Sequence, residues 1–232
     1  MVPRELIDVA EVPGGEPLRL FRRGADHMIV LERNELMNSR MSGSEEALAV
    51  MTCERLRTRA GGLRGVRMLI GGYGMGFTLR AALAELGPDA RIEVAELVPK
   101  IIEWAEGPMA ELTAGCLDDP RVRLVMEDVA APIFDGTETY DAILLDVDNG
   151  PDGLVRPSNG RLYSARGLAA AKNALSPGGV LAVWSAASDP KFLKRLGDAG
   201  FVVDEVAVKA RSNGKGPRHV IWFATKREDD RR

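Results

Sequence analysis

The chain has 232 residues, 45% apolar and 28% charged, which is the composition of a globular protein with room for one large core and a small appendage. A net charge of −3 and a pI near 5.6 give no basic field for nucleic acid. Two cysteines, Cys53 and Cys116, lack CxxC spacing, and with two histidines they exclude a disulfide framework, a zinc site and a histidine-rich metal centre. No apolar run reaches the roughly 18 residues of a membrane span, and the start lacks a signal-like apolar stretch, so cytoplasmic residence is the expectation.

Residues 1–42 hold short β-like runs, Leu18-Arg-Leu-Phe-Arg-Arg, His27-Met-Ile-Val-Leu and Glu35-Leu-Met-Asn, punctuated by glycine and Arg33-Asn. They predict a small antiparallel appendage of two or three strands, which needs a partner surface to be stable. Residues 43–62 predict a linking helix. Ser42 or Ser44 is placed to cap it, and Glu45 and Glu46 sit in its first turn, where the helix dipole favours anions.

Residues 63–226 alternate strand and helix. Strands are predicted at Val66–Ile70, Arg91–Leu97, Val122–Asp128, Tyr140–Asp146 and Val180–Ser185. Helices are predicted at Phe77–Leu86, from Pro99, at Ala165–Ala174 and at Asp189–Ala199. Phe201–Val208 and His219–Thr225 close the chain as a hairpin-like pair, and 227–232 form a charged tail. This rhythm predicts an α/β, Rossmann-like class I methyltransferase fold, with a mostly parallel sheet and an antiparallel last strand.

The first strand runs into Gly71-Gly72-Tyr73-Gly74-Met75-Gly76 and then directly into a helix. Such a loop brings backbone N–H groups against a nucleotide-like ligand at the strand's carboxyl end. The spacing is G-x-G-x-G rather than the dinucleotide G-x-G-x-x-G, which points to S-adenosylmethionine (SAM) enzymes. Acids stand at the following strand ends. Glu96 suits two ribose hydroxyls, and Asp128 suits an adenine amine, whereas Glu127 is read as solvated because alternation points it away. Asp146, Asp148 and Asn149 follow the fourth strand, where two carboxylates and an amide can hold or deprotonate a nucleophile. An ordinary Asp-Gly turn has the same composition. Tyr73 either covers the methionine part of the ligand or packs. The 149–161 stretch is a candidate lid.

With these residues in view, the chain resembles the spermidine synthase-like (aminopropyltransferase) group of the class I SAM methyltransferase superfamily. The resemblance runs through Ile70-Gly-Gly-Tyr-Gly-Met-Gly, Val94-Ala-Glu-Leu-Val-Pro99, Asp119-Pro-Arg-Val, Tyr140-Asp-Ala-Ile-Leu-Leu-Asp146, Leu162-Tyr163-Ser and Leu175-Ser-Pro-Gly-Gly-Val-Leu181. It implies a nucleoside donor, SAM or decarboxylated SAM, held by Gly71, Gly72, Tyr73, Gly74, Gly76, Glu96, Asp128 and Asp146. Asp146 and Asp148 are the implied catalytic acids, and Glu45, Glu46, Asn149 and Tyr163 are candidate substrate contacts. The small N-terminal sheet and the resemblance together imply a homodimer.

The departures fall on the chemistry. The family's glycine loop carries an acid for the donor's amine, and none lies between Gly71 and Thr78 here. The family's D-x-x-D-P becomes Asp146-Val-Asp148-Asn-Gly-Pro. Methyl transfer from intact SAM to a small polar or amine-bearing acceptor is therefore the first expectation. Aminopropyl transfer from decarboxylated SAM is the alternative, with acids at Glu45, Glu46, Asp146, Asp148 and Asp152 to attract a polycation. A nucleoside-binding protein without catalysis is the third reading.

Overall fold

The computed structural model describes residues 3–147, 151 and 157–229. Near the N-terminus, β1 (Glu5–Ala10), β2 (Leu18–Arg23), β3 (Asp26–Leu31) and β4 (Asn34–Asn38) form an antiparallel sheet in the order β1-β2-β3-β4. This sheet has one strand more than expected. The Leu6 and Val9 side chains of β1 are largely exposed, so its apolar alternation is weak, and it is held instead by its partners. One of these is Trp104, whose Nε1 donates to Asp8 of β1 at 3.0 Å.

The larger sheet has seven strands among the described residues: β5 (Arg67–Gly71), β6 (Arg91–Ala95), β7 (Val122–Val125), β8 (Tyr140–Leu145), β9 (Leu175–Ser185), β10 (Val202–Lys209) and β11 (Arg218–Thr225). Their order is β10-β11-β9-β8-β5-β6-β7. From β9 to β7 every pairing is parallel, and β11 runs antiparallel to both β9 and β10, as the missing crossover helix requires. β9 starts at Leu175, five residues before the expected start, because Leu175 already pairs with Tyr140 across a bulge.

Alternation along the central strands divides the interior. Met68, Ile70, Ile92, Val94, Ala142, Leu144, Ile221 and Phe223 face α1 (Gly43–Arg57), α2 (Phe77–Glu85), α3 (Pro99–Glu106) and the N-terminal sheet. Leu69, Ile143, Leu145, Leu181, Val183 and Trp222 face α5 (Ala130–Asp135), α6 (Ala165–Ala174) and α7 (Pro190–Asp198). A one-turn α4 (Ala110–Thr113) follows α3. The sequence pattern missed α4 and α5, which are too short to show a helical period.

The helix starts follow from local chemistry. Asp189 Oδ1 accepts from Lys191 N and Phe192 N ahead of Pro190, and Ser164 Oγ accepts from Gly167 N. α1 is different. Neither serine caps it, since Ser42 makes no side-chain cap bond and Ser44 is turned elsewhere. Its first turn is instead locked to the β10–β11 hairpin: Gly43 N donates to Ala210 O, and a Cβ on Gly43 would come within 2.4 Å of the Arg211 backbone. The C-terminal charges are not all loose, because Lys226 is buried and its Nζ donates to Leu175 O at 2.7 Å. Ala10, Leu20 and Ile29 of the small sheet share one core with α1 and the large sheet. The appendage thus finds its partner surface within the chain. No helix among the described residues is long and apolar enough to cross a membrane.

Candidate active site

The carboxyl ends of β5, β6, β7 and β8 meet the face of the N-terminal sheet and enclose a cleft. On the strand side it is lined by Gly72, Gly74, Glu96, Leu97, Val98, Ile101, Glu127, Asp128, Val129, Asp146 and Asn159. On the other side stand Val12, Leu18, Ile29, Leu31 and Met37. Acids along one wall and branched aliphatics along both suit a nucleoside, with hydroxyls to be accepted and a flat ring to be sandwiched. A second hollow adjoins it, sharing Met37, Gly72, Gly74 and Asp146, and adds Glu45, Tyr73, Met75, Phe77 and Thr78.

The glycine loop makes the junction. Gly74 has φ +56, and a Cβ there would fall 2.8 Å from Met37 Sδ. Gly72 has φ +82, and its Cβ would fall 3.0 Å from the Asp146 carbonyl oxygen. Only glycine gives both the left-handed backbone and the room. Gly71 and Gly76 serve packing: a Cβ on Gly71 would meet Val129, and one on Gly76 would meet the Tyr73 ring. The Tyr73 hydroxyl lies 3.3 Å from Cys116 Sγ, and burial and that contact push its pKa up. Tyr73 lines the hollow, and its polar end is used in the core.

Glu96 is buried. Its Oε2 accepts from Tyr73 N at 2.9 Å and its Oε1 from Val98 N at 2.8 Å. Burial raises its pKa and the backbone donors oppose that rise. It fastens the glycine loop to the start of α3 and lines the cleft. Asp128 Oδ1 accepts from Ala130 N at the start of α5, and its Oδ2 pairs with Arg161 at 2.9 Å. Glu127 is exposed, as expected, and it also edges the cleft, because β7 ends at Val125 and strand alternation does not reach it.

Asp146 and Glu45 come together from opposite sides. Thr78 Oγ1 lies 3.5 Å from Asp146 Oδ2 and 3.4 Å from the Glu45 carbonyl oxygen. Burial raises the pKa of both acids, and the negative charge of Asp146 raises that of Glu45 further. The two titrate as a pair, and a nearby cation would favour the fully ionised state. Ser44 Oγ donates to Glu45 Oε2 at 2.6 Å. Glu46 and Tyr163 line neither cavity; Tyr163 is buried edge-on against Phe192. Asp148, Asn149 and Asp152, and with them most of the expected lid, lie outside the described residues.

The site residues that local spacing missed are Met37, Asn159, Arg161 and the aliphatic wall from the N-terminal sheet. Each comes from an element distant in sequence. Only the apolar runs of 18–31 hinted at a face needing cover. Among the described residues there is no cluster of three or more metal-ligating side chains.

A doubly wound sheet with a glycine loop, acids at successive strand ends and an antiparallel last strand defines a Rossmann-like class I methyltransferase fold. Within that class the chain is similar to the spermidine synthase-like group. It is 36% identical over 125 residues to a polyamine aminopropyltransferase of Mycobacterium tuberculosis, a match covering 53% of this chain and 23% of the relative. It is 30% identical over 155 residues to polyamine aminopropyltransferase 1 of Streptomyces coelicolor, covering 63% of this chain and 28% of that one. These matches thus span less than a third of the curated relatives' length. The fold is that of the spermidine synthase from Thermotoga maritima, with a TM-score of 0.74 and 18% identity over 97% of this chain and 74% of that one. No protein-family model matches.

The relatives overturn methyl transfer as the first expectation, since they are named for aminopropyl transfer. The physical reason for the error lies in the second hollow. An acid missing from the glycine loop is not missing from the site, because Glu45 arrives beside that loop from α1.

Proposed function

We propose that the chain transfers an aminopropyl group from decarboxylated SAM to an amine acceptor. The observation that carries this reading is the half-buried acid pair Glu45 and Asp146 beside Gly72–Gly74, continuous with the cleft that holds Glu96 and Asp128. The nucleoside end suits the cleft, with Glu96 facing the ribose and Asp128 the ring's amine. Gly71 and Gly76 hold the loop's shape, and Tyr73 backs it. Decarboxylated SAM ends in an ammonium and lacks a carboxylate, so an acid pair attracts it and repels intact SAM.

The donor supplies an activated carbon next to a sulfonium. The protein's part is to align the acceptor nitrogen and to take one proton from its ammonium. Once that nitrogen is neutral it attacks the aminopropyl carbon. The C–N bond forms as the C–S bond breaks, and the electron pair stays on sulfur as a neutral thioether. One proton leaves per turnover. Asp146 is placed to hold or deprotonate the acceptor. Asp148, Asn149, Glu46 and Tyr163 remain candidate contacts from the sequence.

Calorimetric titration with decarboxylated SAM and with SAM tests the reading, alongside a thioether-release assay over a panel of diamines. The expected result is tighter binding of decarboxylated SAM, reduced about 10- to 100-fold by Glu45→Gln, as for loss of a charged contact. Tighter binding of SAM, or no thioether release with any diamine, would overturn it.

A further inference from the structure

The proton removed from the acceptor must leave a site closed by two acids and an aliphatic wall. A path starts at Glu45. Ser44 Oγ is 2.6 Å from Glu45 Oε2 and 2.9 Å from Nδ1 of His219. Ser44 is fully buried, whereas His219 on β11 is only partly buried. The arrangement is fixed from three sides. Gly43 locks the first turn of α1 onto the β10–β11 hairpin. The Trp184 ring stands edge-on to the imidazole at 4.8 Å. Ser44 is the second residue of α1, inside the helix rather than at its cap, and its hydroxyl makes these two contacts.

We propose that Glu45, Ser44 and His219 form a proton relay that carries the acceptor's proton from the acid pair to solvent, with Ser44 and His219 as positioning residues. The inference rests on the aminopropyl-transfer reading above. Asp146 takes the acceptor's proton and the pair passes it to Glu45; with Glu45 then protonated and His219 carrying its proton on Nε2, the Glu45 O–H donates to Ser44 Oγ and Ser44 donates to His219 Nδ1. Passing one proton along the chain leaves Glu45 ionised, Ser44 donating to Glu45, and Nδ1–H of His219 donating to Ser44. The imidazolium then loses its Nε2 proton to water, and proton exchange with solvent returns the neutral ring to its Nε2–H tautomer before the next turnover, so atoms and charge balance and the cycle closes. The groups acting on Glu45 are Asp146, Glu46 and Ser44. Burial lowers the His219 pKa, so its ring is neutral between transfers. Ser44 and His219, which meet in the relay, are 175 positions apart in the chain.

The test uses the full chain with decarboxylated SAM and a diamine, comparing Ser44→Ala and His219→Asn. Asparagine keeps a donor near the Nδ1 position and cannot pass a proton on, so it preserves the packing and removes the relay. The expected result is a fall in kcat of about 10- to 100-fold near pH 7, an unchanged KM, and a deficit that closes as pH rises and the amine arrives neutral. Variants within twofold of the parent, or an equal loss at every pH, would overturn the relay. If the parent releases no thioether, the aminopropyl reading fails and the relay is judged without turnover. Nitrogen-15 spectra of the two histidines should then show the His219 tautomer following the ionisation of Glu45. Ser44→Ala should abolish that response, and an identical His219 titration in both proteins would overturn the proposal.

Discussion

Glu96 serves two purposes, and they can be separated by substitution. Its two oxygens accept from Tyr73 N and Val98 N, and the residue lines the cleft. Glutamine keeps the shape but turns one acceptor into an NH2 group facing a backbone N–H. Glu96→Gln should therefore lose about 1–3 kcal/mol of stability, the usual penalty for stranding a buried donor, together with nucleoside affinity. Asp128→Asn should behave differently. Asparagine can accept from Ala130 N through its Oδ1 as aspartate does, so the turn that leads into α5 survives. Affinity should fall with little change in stability, although the Arg161 ion pair is lost. Urea denaturation and calorimetric titration on the same samples check both. A Glu96→Gln protein as stable as the parent would show that the carboxylate is not what fastens the loop.

At the scale of elements, the glycine loop is a contact between two sheets. Gly74 meets Met37 of β4, so the N-terminal sheet rests directly on the loop that shapes the cleft. Gly74→Ala should cost about 1–2 kcal/mol from its left-handed backbone alone. It should cost more from the Met37 clash, and it should weaken decarboxylated SAM binding. Adding Met37→Ala should recover the clash component and not the backbone component; a double variant no more stable than Gly74→Ala would refute the contact. The strand, loop and helix of this unit were legible in the sequence because they are local: an apolar run, a glycine spacing, an alanine-rich period. The antiparallel last strand was legible too, because Phe201–Val208 and His219–Thr225 leave no room for a crossover helix. β1 was not legible, since its exposed Leu6 and Val9 blur the alternation and its partners, β2 and Trp104, lie outside its own segment.

For the molecule as a whole, the acid pair carried the least legible information. Glu45 read as a helix-start charge, and the acid-free glycine loop read as a site suited to a carboxylate-bearing donor. Both readings were local, and the charge that matters is delivered across the fold by packing α1 against α2 and the hairpin. The pair also ties stability to pH. In the unfolded chain the two acids titrate near their ordinary values of 3.8 and 4.5, whereas in the fold burial raises both and the charge of Asp146 raises Glu45 further. Between those limits the folded state binds more protons than the unfolded one, so unfolding free energy falls as pH rises. The pair's contribution is fully present below the ordinary carboxylate values and is lost as pH climbs through the raised ones. Glu45→Gln removes one partner and the repulsion. Its Tm should therefore fall less than the parent's across neutral to mildly alkaline pH, and exceed the parent's at the alkaline end. The scale is about 2–4 °C for each kcal/mol regained. Decarboxylated SAM should reverse the order, because its ammonium favours the ionised pair in the parent and finds only one acid in the variant. Thermal unfolding across pH, with and without that donor, measures both effects. Parallel curves for the two proteins would mean that Glu45 and Asp146 do not share a titration in the fold, and would remove the physical ground for placing a cation between them.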